Sequence, residues 1–146
     1  MKMHLKTLCA ASLLAVASFS FAADWAPGAT DWDKLPEIKR TKQALYLTPQ
    51  QAYDMKKKDP KAVALFDVRT RSEAIYVGMA TDVDALVPFV EHPEIWSDWD
   101  DKRHMYKLEP NQDFVAEFER RMKAMGLGKD APVVLICRSG DRSSKA

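Results

Sequence analysis

The chain has 146 residues, 47% of them hydrophobic and 29% charged, a length and balance that suit one soluble globular domain and leave little room for two. These figures exclude a disordered tail, a collagen-like fibre and a polytopic membrane protein. Lys+Arg 22 against Asp+Glu 21 leaves a formal net charge of +1, so no basic surplus points to nucleic acid.

The first 22 residues read as an address rather than as part of a fold. Lys2, His4 and Lys6 form a positive stretch, and Leu8 to Ala22 is apolar or small throughout. Ser20-Phe21-Ala22 offers small residues at the two positions a signal peptidase reads. The apolar run is shorter than the ~20 residues a membrane span needs. A secretory signal cut after Ala22 is therefore expected, with no stable membrane anchor afterwards and the periplasm as its address. Cleavage removes Lys2, Lys6 and no acid, which turns the net charge from +1 to −1, and it also removes Cys9. Cys137 is then the sole cysteine. A lone cysteine in an oxidising compartment is a candidate reactive thiol.

Residues 23–43, with Trp25, Pro27, Gly28, Trp32 and Pro36, read as an irregular lead-in to a domain over residues 44–146. Ala44-Leu45-Tyr46-Leu47 is a short strand candidate. Thr48-Pro49-Gln50-Gln51 then supplies an N-cap, a proline at the first helical position and a glutamine three residues after the cap. The helix it predicts runs to about Lys58, and Lys56-Lys57-Lys58 reads as a solvated last turn favoured by the helix dipole. Ala62 to Phe66 is a continuous apolar run, as in a strand buried on both faces of a parallel sheet. Ser72 to Val77 predicts a short helix stopped by Gly78, and Asp84 to Phe89 a third short strand. The polar, aromatic stretch from Val90 to Pro110 is long for a loop, which points to a function or to structure of its own. Phe114, Phe118, Met122 and Met125 then recur on one helical face, with Asn111 as cap and Gly126 as stop. Val133-Val134-Leu135-Ile136 predicts a second buried strand. The alternation of strands and helices predicts an α/β domain with a parallel sheet.

Directly after the last strand stands Cys137-Arg138-Ser139-Gly140-Asp141-Arg142-Ser143. In open α/β sheets, ligands bind beyond the carboxyl ends of the strands. A helix opening at Ser143 or Ser144 would turn its N-terminus toward the sulfur. Gly140 permits a tight loop with inward amides, and Arg138 and Arg142 add positive charge. Such surroundings lower a thiol pKa from ~8.5 into the range ~3.5–7.5. The residues thus imply a nucleophilic thiolate beside a small-anion site. Ser139 and Asp141 point either to solvent or into that site.

Val133 to Ser143 resembles the active-site loop of rhodanese-like sulfurtransferases. The family pattern is cysteine, usually arginine, a variable residue, glycine, a variable residue, then arginine or threonine. Cys137, Arg138, Gly140 and Arg142 match it position by position. Asp67-Val68-Arg69 with Glu73 resembles the family's Asp-x-Arg box, whose charged residues brace the loop. The resemblance runs from about Leu45 to Ala146. Gly78-Met79-Ala80-Thr81-Asp82 replaces the usual Gly-His-Ile-Pro-Gly-Ala, and the Val90–Pro110 segment is longer than in the family.

The resemblance implies a three-layer α/β domain around a central, mostly parallel sheet. It implies transfer of a sulfane sulfur from thiosulfate or a similar small anionic donor, through a Cys137 persulfide, to a thiol, a protein or another nucleophilic acceptor. Substrate binding would fall to Arg138, Ser139, Gly140, Asp141, Arg142 and Ser143, and structural support to Asp67, Arg69 and Glu73. No metal or organic cofactor is implied. The family domain continues with a further strand and helix, so the resemblance also implies that these are missing here. Residues 23–146 alone are then expected to be unstable and weakly active.

Rival readings rest on the same residues. A cysteine phosphatase places an arginine six positions after the cysteine, where this chain has Ser143. Arg142 comes one residue earlier, in a loop expected to be too tight for a phosphate ester. Ile136, rather than histidine, precedes the cysteine. A non-catalytic rhodanese-like binding module is a second rival, although such modules often lack the cysteine. A redox thiol lacks a resolving cysteine in the mature chain. His92 and His104, with Glu94, Asp98, Asp100 and Asp101, show no zinc-ligand spacing and read as a solvated loop. Trp96, Trp99 and Tyr106 read as a lid or satellite core placed to shape acceptor access.

Overall fold

The computed structural model describes residues 34–95 and 98–146. The signal segment, Cys9, Trp25, Trp32 and Trp96 lie outside the described residues. After a 3-10 turn at Glu37–Lys39, the chain runs α1 (Pro49–Lys58), β1 (Ala64–Asp67), α2 (Arg71–Val77), β2 (Ala85–Leu86), β3 (Val90–Glu91), β4 (Trp99–Asp100), β5 (Met105–Tyr106), β6 (Glu109–Pro110), α3 (Phe114–Ala124) and β7 (Val133–Ile136). No helix among the described residues is long and apolar enough to cross a membrane.

The central sheet is parallel, in the order β2-β1-β7. Strand β1 pairs with β7 from Ala64↔Val133 to Asp67↔Ile136, and with β2 at Phe66↔Ala85 and Asp67↔Leu86. Successive residues of β1 alternate between faces. Ala64, Phe66 and Val68 pack with Ala85 and Val87 against Phe114 and Met122 of α3. Val63 and Leu65 pack with Val134 against Ala52 and Met55 of α1. The two helices therefore cover opposite faces of the sheet. All four residues of β1 are buried, as its continuous apolar run requires, and Phe66 meets the Phe118 ring edge-on at 5.0 Å.

Strand β7 is less enclosed than expected, with only Val134 of its four residues buried. It pairs with β1 alone, so it is an edge strand of the described sheet. The strand expected at residues 44–47 does not form. Ala44 takes φ 51°, its N–H closes a turn onto the Thr41 carbonyl, and the Tyr46 hydroxyl accepts from the Thr41 N–H at 2.8 Å. These local bonds curl the segment where a ladder would need it extended, and Leu45 remains 70% exposed.

The helix signals are local and translate directly. Thr48 and Gln51 form a reciprocal capping box at the start of α1, and Thr70 and Glu73 form another at the start of α2. Helix α3 ends as the sequence predicts. Gly126, at φ 73°, donates to Lys123 O and Leu127 donates to Met122 O, the paired bonds of a Schellman ending. Its start differs by two residues. Asn111 folds the turn before the helix, accepting from the Asp113 N–H and donating to Pro88 O, and Asp113 takes the cap position.

Lys56 overturns the reading of a solvated last turn. Its side chain is only 6% exposed, and its ammonium lies 2.7 Å from Asp84, while Lys57 stays half-exposed beside Asp82. The long stretch after β2 carries its own structure. Strands β3 and β6 pair antiparallel, as do β4 and β5, where Trp99 and Tyr106 meet edge-on at 5.1 Å.

Candidate active site

The carboxyl end of β1 lies beside the carboxyl end of β7, because Asp67 is paired with Ile136 and the Val68 N–H donates to Ile136 O. Asp67 is fully buried, and its charge is matched at once by Arg69, whose guanidinium grips both carboxylate oxygens at 2.6–3.0 Å. The same guanidinium donates to Gly78 O at 2.7 Å, which ties the end of β1 to the end of α2. A charge-assisted, forked pair of this kind holds geometry as well as energy.

Cys137 follows Ile136 directly, half-buried at the mouth of the sheet. The chain then turns back on itself through Gly140, whose φ of 93° is left-handed and suits a residue without a side chain. That turn brings the Gly140 N–H to 3.1 Å from the Cys137 sulfur, and the Ser143 hydroxyl to 3.4 Å. Burial pushes the thiol pKa up. The Ser143 hydroxyl and the backbone N–H groups of Ser143, Ser139 and Arg142 oppose it and prevail, so the Cys137 pKa lies below its ordinary 9.0. Beyond the loop, Ser144 donates to Gly140 O and Ala146 to Arg142 O, a single helical turn in place of a helix. The alkylation rate of Cys137 by iodoacetamide should therefore rise with a midpoint below that of an unperturbed cysteine thiol. Replacing Ser143 with Ala should move that midpoint upward, and an unmoved midpoint would remove the hydroxyl from the account.

The loop arginines differ in kind. Arg142 is not a free cation. One terminal nitrogen binds Glu73 Oε2, and the other donates to Oε1 at 2.8 Å. Arg142 pulls the Glu73 carboxyl down to about 2, more strongly than burial raises it. Arg142, expected to hold an anion, forms an internal ion pair that fastens the loop to α2. Arg138 and Ser139 are exposed, and the Arg138 guanidinium has no ion pair among the described residues. Asp141 borders a cleft beside the loop, and its Oδ1 is buried without a hydrogen-bond partner among the described residues. His92 borders the same cleft, and no group of three His, Cys, Asp or Glu side chains among the described residues is placed to hold a metal ion.

Some of the site escaped sequence reasoning. The lead-in reaches the loop: Ser144 donates to Ile38 O at 3.0 Å, and the Lys39 side chain lies over Gly140. Nothing in the irregular residues 34–43 marks a contact across 106 positions. The far wall of the cleft comes from Met105, Tyr106 and Leu108, within the segment singled out for its length and aromatic content. Comparison of the chain with protein-family models, with curated proteins and with solved structures returns no match in any of the three.

Proposed function

We propose that the chain is a rhodanese-like sulfurtransferase that carries a sulfane sulfur on Cys137. The observation that carries this reading is the sulfur's position. It sits at the carboxyl end of a parallel strand, within 3.1 Å of a loop N–H, in surroundings that lower its pKa. The Cys137 thiolate attacks the outer sulfur of thiosulfate. A new S–S bond forms, the old S–S bond breaks, and sulfite leaves with the bonding pair. The loop N–H groups that favour the thiolate also favour the anionic persulfide, as oxyanion-hole donors favour oxygen. Arg138, exposed and without an ion pair among the described residues, meets the incoming anion. A nucleophilic acceptor then takes the outer sulfur and releases the thiolate. The periplasm, reached through the cleaved signal, is the proposed place of action.

The test is the intact mass of the chain after exposure to thiosulfate, with Cys137→Ser as control. One added sulfur on the wild type and none on the control is the expected result. A folded wild type that gains no sulfur would overturn the reading in favour of a binding module. Turnover of p-nitrophenyl phosphate in its place would favour a phosphatase.

A further inference from the structure

The cysteine loop is fastened to α2 through Glu73 and Arg142, and it is also met by the lead-in. Residues 34–43 precede the part of the chain that resembles the sulfurtransferases, so the loop pattern gives them no task. Their contacts fall on one sensitive place. The Gly140 N–H reaches the Cys137 sulfur at 3.1 Å, from a residue with φ 93° and no side chain to hold its peptide. A glycine's conformational freedom would let that N–H turn away. The space where a β-carbon would stand is filled instead by Lys39, whose Cδ, Cγ and Cβ lie 3.5, 3.8 and 3.9 Å from that point. These are van der Waals distances, and the atoms are methylenes of a half-buried lysine stem.

The stem is itself held in place. Glu37–Lys39 forms a 3-10 turn in which the Lys39 N–H donates to Pro36 O at 2.9 Å and the Arg40 N–H to Glu37 O at 3.0 Å. The Ser144 hydroxyl docks this turn on the loop, 3.0 Å from Ile38 O. No residue of the turn is buried, so it adds little to the core.

We propose that Lys39 is a positioning residue for the sulfur: its stem, docked through Ile38 and Ser144, holds the Gly140 peptide with its N–H on Cys137. The stem does this, not the ammonium, because methylene carbons make the contact. It keeps water off that face of the glycine and confines the peptide to one arrangement. A donor already aimed at the sulfur need not reorganise as charge develops there. The effect on persulfide formation rests on the sulfur-transfer reading, and the effect on the thiolate does not.

Lys39→Ala and Lys39→Met in the full chain test the assignment. Lys39→Ala should raise the midpoint of Cys137 alkylation by iodoacetamide by about half a pH unit, the size of one weakened hydrogen bond to a thiolate. It should speed exchange of the Gly140 amide severalfold. It should slow persulfide formation about tenfold, less than the roughly 100-fold of a 1 Å displacement. Lys39→Met keeps a stem without the charge and should return all three to wild-type values. The charged groups around the loop, Arg138, Arg142 with Glu73, and Asp67 with Arg69, are the same in both variants, so the midpoint reports the Gly140 N–H. Both melting temperatures should stay within about 3 °C of wild type, because the turn buries nothing.

A larger fall would make Lys39 a prop of the fold and overturn the assignment. A Lys39→Met that behaves as Lys39→Ala would place the effect in the charge, with the same consequence. A wild type that gains sulfur, beside a Lys39→Ala midpoint that does not move, overturns the role of Lys39 alone. A wild type that gains no sulfur, beside a Lys39→Ala midpoint that does move, overturns sulfur transfer and supports Lys39 as the residue that sets the thiolate.

Discussion

Replacing Glu73 with Gln is expected to slow persulfide formation from thiosulfate on the order of 100-fold while leaving the chain folded. The Glu73 carboxylate receives Arg142 on both oxygens, and its Oε2 also accepts from the Thr70 N–H and hydroxyl at 3.0 Å. One side chain thus joins the start of α2 to the loop that carries the sulfur. Gln can still close the capping box with Thr70, so α2 keeps its start. It cannot neutralise Arg142, and one of its two polar atoms becomes a donor facing a donor. Losing a charge-assisted pair of this kind costs about 1.5–3 kcal/mol locally. The loop would have to shift to recover it, and a displacement of about 1 Å at a reacting group costs roughly 100-fold in rate. The pH dependence follows from the same pair. Because the Glu73 carboxyl titrates at about 2 in the folded chain against an ordinary 4.5, the pair's contribution to stability is full above pH 4.5. It is lost as the pH falls through about 2. The wild type should carry this acid limb in its melting temperature, and Glu73→Gln should lack it. A rate within threefold of wild type would show that the loop holds its shape without the pair.

Legibility in the sequence tracked the range of the interaction. The capping box at Thr48 and the Gly126 ending involve residues within a few positions of each other, so composition at fixed spacing suffices to place them, whereas the Thr70–Glu73 box, of the same spacing, went unread. The apolar run ending at Phe66 marks β1 because burial on both faces excludes polar residues. The cysteine loop is visible because one short segment holds the nucleophile, the left-handed glycine and the Ser143 hydroxyl. What stayed hidden depends on distant partners. Arg142 looks like a free cation until Glu73 is brought to it from 69 positions away. Ile38 and Lys39 look inert until the fold sets them against Gly140 and Ser144. The two-residue ladders of the long insertion are too short for any alternation to register. The failed strand at residues 44–47 is the converse case. Its apolar residues suit a strand, but the turn closed by Thr41 and Tyr46 claims the backbone first.

Lys56 is the position where burial contradicts residue type most sharply, and Lys56→Met is expected to destabilise the domain by about 3–5 kcal/mol. The ammonium donates to both oxygens of Asp84 at 2.7–2.8 Å, to Pro60 O at 2.8 Å and to Val63 O at 2.8 Å. Asp84 in turn accepts from the Leu65 N–H and donates its own N–H to Leu65 O. One cation therefore closes the end of α1 onto the start of β1 and the approach to β2. Met matches the length and apolar stem of Lys, so packing against α1 survives and the loss is electrostatic: a carboxylate without its partner and two carbonyls without a donor. Against the ~5–15 kcal/mol that holds a domain together, this is a large fraction. It should lower the melting temperature by more than about 10 °C. Adding Asp84→Asn should recover part of the loss, since the amide oxygen still accepts from Leu65 and no charge is left stranded. The network gathers at the amino end of β1, four residues before the Asp67 end that adjoins Cys137. The persulfide yield per folded molecule should accordingly stay at the wild-type level. A melting temperature within about 3 °C of wild type would mean that water or a rearranged Asp84 replaces the ammonium at little cost.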